Sequence, residues 1–110
     1  MEQPAVAIVR IASKRSAAVA VRTFKRYAHA QDVPATAVRL VLREIDGEVV
    51  ADVEWPANTL TDGGNYLYPT DVPLAIERAD DVCDHYGLTE VAVVTSDPHL
   101  WNPAWGYLSP

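Results

Sequence analysis

Residues 36–55 read TAVRLVLREIDGEVVADVEW, and this stretch decides the fold. Two runs rich in valine, leucine and isoleucine flank Asp46-Gly47. Asp-Gly between alternating runs is a strong hairpin signal, because both central turn residues need positive φ. A two-residue turn also sets the register, placing Leu42 opposite Ala51, Leu40 opposite Val53 and Val38 opposite Trp55. All six side chains then fall on one face, so pattern and turn agree. The opposite face pairs Arg39 with Glu54 and sets Arg43 diagonally from Glu48 and Asp52. Val41, Ile45 and Val50 share that outer face. A partly apolar outer face calls for a cover, either a tail or a second subunit. These three residues are therefore the expected interface of a homodimer.

Working towards the N-terminus, Asp32-Val33-Pro34 breaks the preceding element, since proline disfavours helical geometry in the residue before it. Ala17, Val21, Phe24 and Ala28 recur at helical spacing, which predicts a helix over residues 14–31 capped by Ser13 or Ser16. A hairpin through residues 5–24 is the rival, because Val19 and Val21 also alternate. Ala5–Ala12 (AVAIVRIA) reads as a strand buried on both faces.

Working towards the C-terminus, residues 56–70 form the longest irregular stretch and carry Asp62-Gly63-Gly64-Asn65. A loop of this length in a small domain is often functional. Thr70 or Asp71 starts a second helix, with Pro73 tolerated in its first turn. Ala75, Ala79, Val82, Cys83 and Tyr86 form its apolar stripe, and Gly87 sits where a left-handed cap belongs. Glu90–Ser96 is the last strand. The resulting order is strand, helix, strand, strand, helix, strand. That order predicts an α+β fold of the ferredoxin-like split β-α-β kind (βαββαβ), with two helices on one face of a four-stranded antiparallel sheet. Residues 1–96 would form this domain, and residues 97–110 (DPHLWNPAWGYLSP) an aromatic, proline-rich tail packing on it or on a partner subunit.

The composition suits one folded domain: 110 residues, 49% hydrophobic and 22% charged. No apolar run is long enough to span a bilayer. Glu2 and the lack of a long apolar segment near it argue against a secretory signal. Cys83 is the single cysteine, which excludes an internal disulfide and points to the cytoplasm. The net charge of -6 is unevenly spread. Residues 1–43 carry +6 and residues 44–110 carry -12. The expected reason is that the two parts pack together and neutralise each other. Nucleic acid is not an expected partner, since a chain of this net charge repels phosphate. The basic set Lys14, Arg15, Arg22, Lys25 and Arg26 is the one feature that favours such a partner.

Seven of the nine aromatics lie at or after position 55, in the acidic part of the chain. Trp55, Tyr66, Tyr68, Trp101 and Trp105, with His99, are the expected ligand-binding residues, able to stack on a cationic or sugar-like group. Asp81, Asp84, His85, Asp97 and His99 lack the spacing of a specific metal motif, so neither a metal nor a cofactor is expected. Gly63-Gly64 lacks the lysine and hydroxyl of a phosphate-binding loop and reads as a turn. Cys83 lies on an apolar stripe, where a thiol stays protonated. The function expected from these features is a small non-enzymatic binding or protein-interaction module acting as a homodimer. The alternatives are a cofactor-independent enzyme using His29, Tyr66, His85, Asp97 or His99, and a module that docks on a basic protein through Asp80, Asp81 and Asp84.

Overall fold

The computed structural model describes residues 21–110. The strand expected at residues 5–12 and the first part of the helix expected at 14–31 lie outside them. The hairpin forms as its sequence requires. Strand β2 (Ala37–Ile45) and strand β3 (Glu48–Trp55) are antiparallel, with Leu40 opposite Val53 and Leu42 opposite Ala51. Asp46 and Gly47 adopt φ of 52° and 81°, the left-handed pair that matches strand twist. On the outer face, Arg39 Nη1 lies 3.2 Å from Glu54 Oε2, and Arg43 Nε lies 2.8 Å from Asp52 Oδ2.

The ferredoxin-like expectation is overturned around this hairpin. Among the described residues there is one α-helix, α1 (Val72–Tyr86), packed on a mixed seven-stranded sheet. The expected first helix gives way at its described end to strand β1 (Thr23–Tyr27). The helical spacing there did not correspond to one buried face: Phe24 is 2% exposed, whereas Val21 is 69% exposed. β1 is parallel to both of its neighbours, β6 (Glu90–Val94) and β7 (Tyr107–Ser109). Pairing with two sequence-distant strands outweighs a local preference for helix. The tail thus contributes a strand as well. The remaining strands are short: β4 (Gly64–Asn65) and β5 (Thr70–Asp71) both pair with the free edge of β3. The sheet order is β4-β3-β2-β6-β1-β7, with β5 beside β4 on β3.

β6 lies between two parallel neighbours, β2 and β1, and Val91, Ala92, Val93 and Val94 are all buried. Burial on both faces explains why EVAVV reads as a continuous apolar run rather than an alternating one. On the helix side, Phe24, Val38, Leu40, Val53 and Val93 pack against Val72, Ala75, Ala79 and Val82 of α1. On the outer side, Ala30 and Val33 fold back over Ala37, Val41, Ala92 and Val94. The helix ends follow local chemistry. The Asp71 carboxylate accepts from the Leu74 N–H at 3.3 Å, and Gly87 closes the helix at φ 73°. No helix among the described residues is long and apolar enough to cross a membrane.

The charge asymmetry resolves partly by pairing. Each of the three Arg–carboxylate pairs among the described residues joins the basic part to the acidic part: Arg22–Asp80, Arg39–Glu54 and Arg43–Asp52. The Arg22 guanidinium is bidentate, with both contacts at 2.8 Å. Arg26 donates to the Thr95 carbonyl, and the Lys25 ammonium lies over the Tyr27 ring. None of these three basic residues stands on a helix.

Candidate binding cleft

Residues 56–69 leave the end of β3 and return along the same edge before α1 begins. This path lays Tyr66 beside Trp55 and across from the C-terminal half of the helix. Tyr66 is pinned by its N–H, which donates to the Val53 carbonyl at 2.9 Å. Gly63 and Gly64 permit the return by different means. Gly63 has φ +87°, and its missing Cβ would lie 2.8 Å from the Ala57 nitrogen. Gly64 gives up its side chain to the Trp55 indole. The pair is therefore a turn that also serves as the bed of a tryptophan.

Between this segment and α1 lies an open cleft of about 420 Å³. That volume falls within the ~300–1,000 Å³ usual for small-ligand sites. Trp55, Asn65 and Tyr66 line one wall, and Asp81, His85 and Tyr86 line the other. The rings meet at angles rather than stacking flat. Trp55 and Tyr66 have centroids 6.3 Å apart at 64°, and Trp55 and Tyr86 have centroids 6.1 Å apart at 38°. His85 abuts Tyr86 edge-on at 4.6 Å. The Trp55–Tyr66 and His85–Tyr86 contacts are edge-on and the Trp55–Tyr86 contact is tilted, while the Arg78 guanidinium lies over the Tyr66 ring. Trp55 Nε1 is buried without a hydrogen-bond partner among the described residues.

The expected ligand-binding residues do not form one site. Trp55 and Tyr66 line the cleft. Tyr68 stands 73% exposed on the loop beyond them. Trp101 and Trp105 belong to the helix-side core at the far edge of the sheet. Trp101 packs edge-on to Phe24 at 5.3 Å and donates its indole N–H to the Gly106 carbonyl at 2.9 Å. His99 is exposed, 3.2 Å from Asp97.

The set Asp81, Asp84, His85, Asp97 and His99 likewise divides between helix and tail, with Asp81 and His85 in the cleft. Of the residues considered for catalysis, Tyr66 and His85 meet there, whereas His29, Asp97 and His99 lie elsewhere and exposed. Tyr86 was missed as a site residue. It reads as part of the apolar stripe, and only the return path of residues 56–69 turns it into a wall. Its place next to Gly87, at the end of the helix, was the one available clue.

Cys83 is half-buried on the opposite flank of the helix, with its thiol 3.6 Å from the Glu90 carbonyl. Burial, then Asp80 and Asp84, push the thiol up from its ordinary range. A protonated thiol is a poor nucleophile. The outward residues Val41 and Val50 are half-buried and Ile45 is 39% exposed. Trp101 and Trp105 of the tail do not flank them, because they sit in the helix-side core. The chain matches no protein-family model, no curated protein and no solved structure.

Proposed function

We propose that the protein is a non-enzymatic binding module whose ligand seats in the cleft between α1 and residues 56–69. One observation carries this reading: Trp55, Tyr66 and Tyr86 converge with Asp81 and His85 from two separate chain segments on one open cleft. Large rigid aromatics around a few polar groups are the usual make-up of a recognition site. A thermal-shift screen over metabolites tests the reading. A ligand at a hundred times its dissociation constant adds about 2.7 kcal/mol of stability. That gain should vanish in Trp55→Leu. A screen hit whose stabilisation survives Trp55→Leu binds elsewhere and sinks the proposal.

The outer sheet face supports the second half of the reading, that two copies associate. Val41 and Ile45 alternate with Arg39 and Arg43 along the outer face of one strand, β2, and Val50 shares the outer face of β3 with Asp52 and Glu54. In a twofold pairing each copy presents the same patch, and the Arg39–Glu54 and Arg43–Asp52 pairs within each copy neutralise the charges around it. Sedimentation of the chain and of Ile45→Glu measures this directly. A monomer at high micromolar concentration removes the dimer.

The meeting of Tyr66 and His85 in the cleft favours a second reading, a cofactor-independent enzyme. Against it, His85 has no hydrogen-bond partner among the described residues to hold its ring for proton transfer. Ligand turnover that stops in His85→Gln, with ligand affinity retained, would establish that reading.

A further inference from the structure

The cleft has a sign as well as a shape. Among the described residues, Asp81 is its one carboxylate, and no lysine or arginine lines it. Its helical wall is the C-terminal half of α1, which ends at Tyr86. Aligned peptide dipoles leave partial negative charge at that end. The faces of Trp55, Tyr66 and Tyr86 add the negative side of an aromatic quadrupole. The chain already rests one cation on this group, since the Arg78 guanidinium carbon lies 4.8 Å from the Tyr66 ring centre. An anion would have to sit beside Asp81 and the negative helix end, and the Arg78 guanidinium is already seated on the Tyr66 ring. A sugar could draw on Asn65, Asp81, His85 and the hydroxyls of Tyr66 and Tyr86, and is therefore the rival that a neutral glucoside tests.

Resting on the reading of the cleft as a binding site, we propose that its ligand is an organic cation, of the quaternary ammonium or alkylguanidinium class. The cation lies against Trp55 and Tyr86, and Asp81 is its counter-ion. Asp81 stands on the exposed face of α1, so its replacement leaves the core of the helix untouched.

The test is a titration of the ¹⁵N-labelled full chain, following amide resonances. The probes are tetramethylammonium, choline, 3,3-dimethylbutan-1-ol (the neutral counterpart of choline) and methyl glucoside. The two cations should shift the amides of residues 65–66 and 81–86 to saturation, with the neutral alcohol about tenfold weaker. Asp81→Asn should weaken choline about five- to tenfold and leave the alcohol unchanged. Raising sodium chloride from about 50 to about 500 mM should weaken the cations alone. Arg78→Gln should tighten choline by about twofold, because it removes a like charge near the site. If the alcohol or the glucoside saturates the same amides as tightly as choline, the cation is overturned and the cleft stands as a binding site. If none of the four probes shifts those amides, both the cation and the cleft are overturned.

Discussion

Gly64 lies directly against the indole of Trp55: a Cβ built on it would stand 2.7 Å from Trp55 Cζ2 and 3.1 Å from Cε2. The obstacle is a rigid ring, itself held between Tyr66 and Tyr86. Overpacking of this kind typically costs about 1–3 kcal/mol. Gly64→Ala should therefore lower the urea midpoint and shift the tryptophan emission, as the indole leaves its bed. In a Trp55→Leu background the added methyl meets free space, so most of its cost should disappear. Additive costs in the double variant would mean that the two residues do not press on one another.

Gly47 presents a different case. A Cβ there meets nothing within 4 Å, yet its φ is +81°. Backbone strain is then the whole penalty, about 1–2 kcal/mol for a side chain in the left-handed region. Gly47→Ala should cost about that much, and Gly47→Asn less, since asparagine tolerates this conformation. Equal loss from both, read as urea midpoints, would contradict a two-residue turn at Asp46-Gly47.

These two glycines mark how much of the molecule could be read from its sequence. Asp46-Gly47 carries its own turn chemistry, and the alternation on either side fixes the register that β2 and β3 adopt. The helix after Asp71 was equally local, with its cap, its Pro73 and its closing Gly87 all in one short stretch. β1 was not legible, because its stability comes from β6 and β7, which follow it by more than sixty residues. Within Thr23–Tyr27 only Phe24 is fully buried, so no alternation declared a strand. The three-residue β7 was hidden in a segment whose prolines and tryptophans suggested a tail packed on the domain or on a partner subunit, without a strand of its own. The cleft fell between these cases. Trp55, Tyr66, Asp81 and His85 each stood out, but as members of an aromatic set and a separate carboxylate–imidazole set. Only the return of residues 56–69 along β3 brings them together, and that path depends on Gly63, whose role resembled an ordinary turn.

The two faces of β2 can be separated by a pair of neighbouring substitutions. Leu40 is fully buried among Val53, Val93 and the helix, whereas Val41 lies half-buried on the outer side against Ala92 and Val94. Leu40→Ala should cost about 2–5 kcal/mol, the range for emptying a packed leucine site. Val41→Ala should cost about 1 kcal/mol or less, since it removes two methyl-sized groups from a partly covered site. The thermal midpoint reads both. A reversed order would place the helix on the other face of the sheet.

Cys83 should give the molecule a measurable alkaline limit. Its thiol is pushed up by burial first, then by Asp80 and Asp84, with Arg22 opposing them. The unfolded thiol releases its proton near about pH 8.5, while the folded thiol still holds it. Above that pH the unfolded chain binds fewer protons than the folded one, so stability falls as pH rises. The contribution is fully present below the unfolded value and is lost as pH climbs through the folded one. Tyr27 adds a second, later decline, because burial and then Glu90, which accepts from its hydroxyl at 3.3 Å, raise its phenol. Urea midpoints measured from pH 7 to about pH 10.5 should therefore drop in two stages. Cys83→Ala should remove the earlier stage and keep the later one, whereas Tyr27→Phe should do the opposite. Iodoacetamide at pH 8 should also alkylate the folded thiol far more slowly than the denatured one, since the thiolate is the reacting species. If Cys83→Ala and the unaltered chain lose stability along the same curve between about pH 8 and pH 9.5, the thiol is not held protonated by its surroundings.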